Sequence, residues 1–411
     1  MSGLVTHHRQ AWIAAGARTP FIDYCGALAG VSPTDLAIHA ARAAIARTGL
    51  EPAQIGATLA GNMAPGDFDQ FFLPRHIGLY AGLPIEAPAL MAQRICGTGF
   101  ELFRQAAHCI DDGAGAVLVA AAESMSRNPI AAFEHRQGFR LGAPVAFKDY
   151  LWEALTDPAV GITMIETAER LAKRYGITRE AVDRYASRSF ERALAAQAAG
   201  FFDGEIAPVT PTRFERTGFA TRQLTLPRGV ERLERDSHPR PSPPEALARL
   251  RPVYPDGVQT AGNSSALVDG AAAAVVTDEA TLGRLAAPPL ARLVATAVVG
   301  VPPEIMGIGP APAVRALLAA TGLALDDIDL FEINEAQGAQ ILAVLAELGL
   351  EPERVNVHGG AIALGHPLAA TGVRLVLTLA RALAARGGRR GIASACVGGG
   401  QGIAVLIERP T

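Results

Sequence analysis

The amino-acid sequence predicts an α/β protein made of two α/β halves with a more polar lobe inserted between them. Three observations carry that expectation. Short apolar runs alternate with amphipathic stretches along most of the chain, which is the pattern of layered strands and helices. Of the 411 residues 49% are apolar and 19% charged, so a large core can form and disorder is excluded as the main state. The segment 127–251 departs from this pattern: it is more polar and carries the proline-broken stretch from Ser237 to Pro244. At about 150 residues per domain, the length corresponds to two or three domains.

The elements follow in order. Ser32-Pro33-Thr34-Asp35 supplies an N-cap, a proline at the first helical position and an acid in the first turn, and the alanine-rich helix that follows ends at Gly49. Residues 98–110 read as a helix and 116–121 as a buried strand. Beyond the lobe, 329–333 reads as a strand, 335–348 as a helix, and 368–385 as a second helix closed by Gly387-Gly388. Residues 391–396 and 403–407 then form two strands joined by a glycine-rich turn. No short-period repeat is visible, and self-matching does not reveal a duplication of the halves.

Charge and cysteine use narrow the function. With 37 basic and 40 acidic residues the net charge is −3, which argues against nucleic acid as a partner. Apolar stretches such as 116–122 are far shorter than the roughly 20 residues a bilayer demands, so no membrane partner is expected. The N-terminus lacks a charged-then-apolar leader, which makes the cytoplasm the expected location. Four cysteines, Cys25, Cys96, Cys109 and Cys396, have the spacing of neither a disulfide framework nor a zinc site, and no metal is expected. His7-His8 reads as a solvated tail.

Several residues stand where chemistry is possible. Cys96 lies in Arg94-Ile-Cys-Gly-Thr-Gly-Phe100 at the start of a helix. The helix dipole would lower its pKa, and the glycines would expose the sulfur and aim N–H groups at an oxyanion. A small buried hydrophobe is an equally good reading of the residue alone. Cys396, in Ser394-Ala-Cys-Val-Gly-Gly-Gly400, ends a strand; the glycines lead into another strand, unlike a dinucleotide-binding finger, which opens a helix. His366 sits in a glycine-rich turn before a helix and is placed for proton transfer. His358 reads equally as structural. Asn334 is either a helix N-cap or an amide holding a water or carbonyl, and 262–265 reads as a turn closing on a strand.

Taken together, these segments resemble the thiolase family. The resemblance is carried in chain order by Arg18-Thr-Pro20 with Gly26-Ala-Leu-Ala29, Cys96-Gly-Thr-Gly99, Glu123-Ser-Met-Ser126, and Met164 with Glu166-Thr-Ala-Glu169. Thr260 to Ser265, Met306-Gly-Ile-Gly-Pro310, Asn334-Glu-Ala336, Gly359 to Pro367 and Cys396-Val-Gly-Gly-Gly400 complete it. It implies a thiolase fold, two similar α/β halves in a five-layer α-β-α-β-α sandwich with an inserted loop lobe. The implied boundaries are 1–125 for the N-terminal half with 253–286 returning to it, 126–252 for the lobe over a coenzyme A site, and 287–411 for the C-terminal half.

The resemblance also implies roles. Cys96 would carry the acyl group as a thioester and His366 would take its proton. Asn334 would position a water in one oxyanion hole, and the N–H groups of Cys96 and Gly398 would form the other. Cys396 would exchange the proton at the acetyl α-carbon. The implied reaction is CoA-dependent cleavage of a 3-ketoacyl-CoA, or the reverse condensation, with coenzyme A as substrate and no permanently bound cofactor. Ser265, Met164, Met306, Arg240 and Leu250 match CoA contacts, and a homodimer or homotetramer is expected. The sequence departs from the family pattern at Gln337, where an aromatic is usual, and at Thr163, His358, Ala369 and Gln401. A ketoacyl synthase is the enzymatic rival, and the presence of Cys396 weighs against it. A non-catalytic acyl-CoA binder is the other, and the retention of Cys96, His366 and Cys396 weighs against that.

Overall fold

In a computed structural model that describes residues 3–410, the chain builds two five-stranded sheets joined along one edge. In chain order the strands are β1 (Leu4–His7), β2 (Trp12–Arg18), β3 (Ala57–Gly61), β4 (Ala89–Met91), β5 (Ala116–Glu123), β6 (Val268–Thr277), β7 (Ala291–Gly300), β8 (Leu330–Ile333), β9 (Arg390–Val397) and β10 (Gln401–Glu408). The N-terminal sheet runs β4-β3-β5-β6-β2 and the C-terminal sheet β8-β9-β10-β7-β1. The two meet where β2 pairs with β7 at Ile13 and Ala291.

Counted from β2 in one half and β7 in the other, and leaving aside the added edge strand β1, both halves have the order 3-2-4-5-1. In the C-terminal half the third strand has shrunk to one parallel bridge between Phe331 and Val355. The duplication invisible to self-matching is therefore present in the topology.

The main helices are α1 (Pro33–Thr48), α2 (Leu73–Tyr80), α3 (Thr98–Asp111), α4 (Met164–Tyr175), α5 (Arg179–Ala198), α6 (Pro310–Thr321), α7 (Gly338–Leu348) and α8 (Leu368–Arg386). α1 and α2 cover the outer face of the first sheet, α6 and α7 that of the second, and α3 and α8 lie between the sheets. The result is the five-layer α-β-α-β-α sandwich. Its strands are buried on both faces, which is why they read as unbroken apolar runs. Along β5, Val117, Val119 and Ala121 face the central helices while Leu118, Ala120 and Ala122 face the outer layer. α8 is long and apolar enough to cross a bilayer, but here it is the buried core of the central layer.

The two central helices touch backbone to backbone. A Cβ added to Gly99 would lie 2.5 Å from the Val373 nitrogen, and one added to Gly372 would strike the Phe100 nitrogen. No side chain fits at that crossing, which sets where the N-termini of α3 and α8 lie. Gly372→Ala is expected to lower stability by about 1–3 kcal/mol, the usual range for overpacking. Gly283→Ala, at a position with open space around it, is the matched control. Denaturant midpoints of the two variants check this, and equal midpoints would contradict it.

The first helix follows its signals, with Ser32 Oγ accepting from the Thr34 N–H and Gly49 in the left-handed region at φ 75°. Three expectations need correction. Residues 4–7, assigned by sequence to the N-terminal half, pair with β7 of the other half and cover its otherwise open edge. His8 is no solvated tail: it is 3% exposed, with Nε2 3.3 Å from Thr296 Oγ1. The helix expected from residue 335 begins at Gly338, because residues 336–338 pair with the neighbouring loop. There Ser265 N–H donates to Ala336 and Gly338 N–H to Asn263.

Candidate active site

Both halves bring the N-terminus of their central helix to the same place. Cys96 immediately precedes the cap of α3, and His366 immediately precedes Pro367, the cap of α8. Ile95 is held at φ 44°, a left-handed conformation unusual for a β-branched residue, and this sharp turn aims Cys96 at the other half. Cys96 is 7% exposed and packs against Met125, Leu151 and Leu368. The N–H groups of Gly398 and of Cys96 itself point at its sulfur. Gly398 opens the turn between β9 and β10, in which Gly399 and Gly400 take φ of 78° and 86°.

Cys396 is fully buried near the end of β9, close enough to Cys96 for their charges to interact. Asn334, at the end of β8, is fully buried and is not a helix cap. Its Nδ2 lies 3.3 Å from His366 Nε2, while its Oδ1 has no partner among the described residues. His366 Nδ1 lies 2.6 Å from Thr371 Oγ1. A neutral ring with its proton on Nδ1 satisfies both contacts, donating to Thr371 and accepting from Asn334.

Burial dominates the electrostatics. It holds the His366 pKa down to about 3, helped by the charge of Arg374, so the imidazole is neutral at working pH. The Cys96 thiol is pushed up to about 12 by burial, against the opposing Gly398 and Cys96 N–H groups. The helix dipole therefore does not make a resting thiolate, contrary to the sequence reading; desolvation outweighs it. Cys396 is raised further, by burial first and by Cys96 second. The resting site holds two thiols and a neutral histidine, and the Cys96 proton must leave as the sulfur attacks.

A cavity of about 510 Å³ runs inward to His366 from a mouth at Asp23, His238 and Arg240. Of the expected CoA contacts, Ser265, Met164 and Arg240 line it. Met306 and Leu250 do not. Met306 is buried in a short helical segment, and Leu250, 39% exposed, packs on Gly262 from outside. Arg240 stands over the Phe190 ring at 5.3 Å, with Nη1 beside the His238 ring.

Three positioning residues went unassigned in the sequence. Glu123, fully buried at the end of β5, accepts from Asn62 Nδ2 and from the N–H groups of Met63, Ala64 and Ala369, tying α8 to the first half. Burial raises its pKa to about 7. Glu335 accepts from Tyr185, Ser189, Asn356 and the Ile362 N–H, which fastens α5 of the lobe to the loop before His366. Thr371 orients His366. The available signal for Glu123 was an acid closing a wholly apolar strand, which needs buried partners. Gln401 has a local function too, as Oε1 accepts from Arg94 Nη1 at 2.7 Å and links the two cysteine loops.

His358, stacked on Phe201 with ring centroids 3.6 Å apart, has its pKa lowered to about 4 by burial and by Arg386 and Arg192. It is neutral when folded and protonates below about pH 6.5 when unfolded, so its contribution is complete above 6.5 and is lost as pH falls. The stability lost between pH 7 and 5 is expected to be about 1–2 kcal/mol smaller in His358→Asn than in the parent. Urea titrations at the two pH values test this, and parallel losses would refute it.

The family models described as "Thiolase, N-terminal domain" and "Thiolase, C-terminal domain" match residues 11–280 and 287–409. The chain is 43% identical over 404 residues to the "3-ketoacyl-CoA thiolase, mitochondrial" of Bos taurus, covering 97% of this chain and 98% of that protein. It is 39% identical over 406 residues to an acetyl-CoA acetyltransferase of Pseudomonas aeruginosa, covering 97% and 98%. Among solved structures, human mitochondrial 3-ketoacyl-CoA thiolase in complex with CoA superposes with a TM-score of 0.91 at 40% identity, over 98% of each chain. The Bacillus anthracis acetyl-CoA acetyltransferase superposes with a TM-score of 0.90 at 40% identity, over 98% of this chain and 100% of that one.

Proposed function

The chain belongs to the thiolase family, and from that premise we propose that it cleaves 3-ketoacyl-CoA with CoA through an acyl-cysteine on Cys96, or runs the reverse condensation. The observation that carries this reading is the closeness of Cys96 and Cys396 at the junction of the two halves, with Cys96 packed on Leu368 and with Leu368 and His366 both lining a cavity of about 510 Å³.

The Cys96 sulfur attacks the 3-keto carbon as its proton passes to His366 Nε2. Asn334 Oδ1, buried without a partner, supports a role in holding a water near the thioester oxygen. The C2–C3 bond breaks, its electron pair forms the enolate of acetyl-CoA, and the Cys396 thiol protonates C2. The N–H groups of Cys96 and Gly398 are aimed where the acyl-enzyme oxygen develops charge. A second CoA thiol returns a proton to Cys396 and attacks the acyl carbon. Cys96 leaves and recovers its proton from His366, so the protons balance over the cycle.

Ser265, Met164 and Arg240 are the CoA contacts this reading retains, with the planar guanidinium of Arg240 suited to a phosphate or adenine. A homodimer or homotetramer belongs to the same proposal. It is supported by β4, a sheet-edge strand with Leu90 52% exposed, and by Phe68 and Phe71, which are almost fully exposed.

The deciding experiment is CoA-dependent loss of the ketoacyl thioester, with acetoacetyl-CoA assayed beside a longer 3-ketoacyl-CoA. Cleavage of both identifies a broad 3-ketoacyl-CoA thiolase, and preference for the shorter one identifies acetoacetyl-CoA as its substrate. Cleavage of neither by folded protein would overturn the reading.

A further inference from the structure

Gln337 and Thr163 are the two departures from the family pattern that line the cavity, and of the two it is Gln337 whose side chain is left unpaired among the described residues. It is 9% exposed and caps α7, and its backbone is fixed by a bridge to Ser264 and by N–H donation from Gln337 to Gln340 Oε1. Its side-chain amide makes no hydrogen bond among the described residues, and Oε1 is buried without a partner. An amide left that way costs free energy, whichever way it is turned, unless something entering the cavity pairs with it. Two other polar side chains of the wall are already paired. Ser264 Oγ is spent on the Thr260 carbonyl, and Thr163 Oγ1 is paired with the Tyr254 hydroxyl at 2.7 Å. Around them the wall is apolar, with Trp152, Leu155, Met164 and Leu368.

We infer that Gln337 is a substrate-binding residue that hydrogen-bonds a polar, uncharged group of the bound thioester. The inference rests on the thiolase reading. The expected group is uncharged because, among the described residues, the Asp, Glu, Lys and Arg side chains of the cavity wall are Asp23 and Arg240, both at the mouth and both already against His238. The same chemistry is offered by a hydroxyl on the acyl chain and by the amides of the pantetheine arm.

The test compares 3-ketohexanoyl-CoA with 6-hydroxy-3-ketohexanoyl-CoA, on the parent and on Gln337→Met, which keeps the length and removes the amide. If the acyl chain is the partner, the ratio of kcat/KM for hydroxylated over plain substrate falls about tenfold in the variant, the effect of one unpaired hydrogen bond. If the pantetheine arm is the partner, the KM for CoA and for both thioesters rises together by a similar factor. An unchanged ratio with an unchanged KM for CoA overturns the inference. Gln337→Leu repeats the comparison should the methionine variant fold poorly. Failure of the parent to cleave either substrate would instead sink the thiolase reading, so the two failures are distinguishable.

Discussion

Cys96→Ser is expected to lower kcat for ketoacyl-CoA cleavage by at least about 10³-fold while leaving the fold and CoA binding intact. The buried site already pushes the thiol pKa up to about 12, and a hydroxyl there is harder still to ionise. A serine would also need a stronger base than His366, whose imidazole burial holds near 3. Steady-state cleavage, together with a trap for acyl-enzyme, measures this. A serine variant that still accumulates acyl-enzyme and turns over within tenfold of the parent would remove Cys96 from its assigned role.

Cys396→Ala separates two steps that the parent performs together. Acylation of Cys96 by an acyl-CoA donor can proceed without the thiol at 396, because the proton that Cys96 gives to His366 can pass on to the leaving CoA thiolate, so stoichiometric release of CoA is expected to persist. Exchange of the acetyl α-proton with deuterated water needs the thiol at 396 and is expected to vanish, and cleavage should fall with it. Cys396 is fully buried, so removing its sulfur leaves a small void rather than an unpaired polar group. Full turnover by the alanine variant would assign the proton transfer elsewhere.

The lowered histidine pKa values also bear on activity. With His366 neutral down to about pH 3, ionisation of the free histidine cannot draw an acid limb between pH 5 and 8. The deacylating CoA thiol or the cysteines remain the titrating groups above that range.

Much of this protein was legible before any fold was known. The cap residues Ser32 and Gly49 delimit α1, the apolar runs at β5, β9 and β10 mark buried strands, and glycines 398–400 mark a hairpin. These are local signals, set by backbone conformation and by the period of burial within a few residues. Cys96, Cys396, His366 and Asn334 were legible through the ordered set of family motifs, not through their individual settings.

What only the tertiary structure decided depends on residues far apart in the chain. Residues 4–7 complete the sheet of the opposite half, and the loop at 263–265 pairs with 336–338 and delays α7 by three residues. The Cys96 pKa reverses its expected direction because the dipole of α3 is a property of the segment, whereas desolvation comes from Met125, Leu151 and Leu368. Met306 and Leu250 fall off the cavity wall for the same kind of reason. Chain position fixes which elements carry a side chain, but the packing of the lobe against the sandwich fixes which of those side chains a substrate can reach.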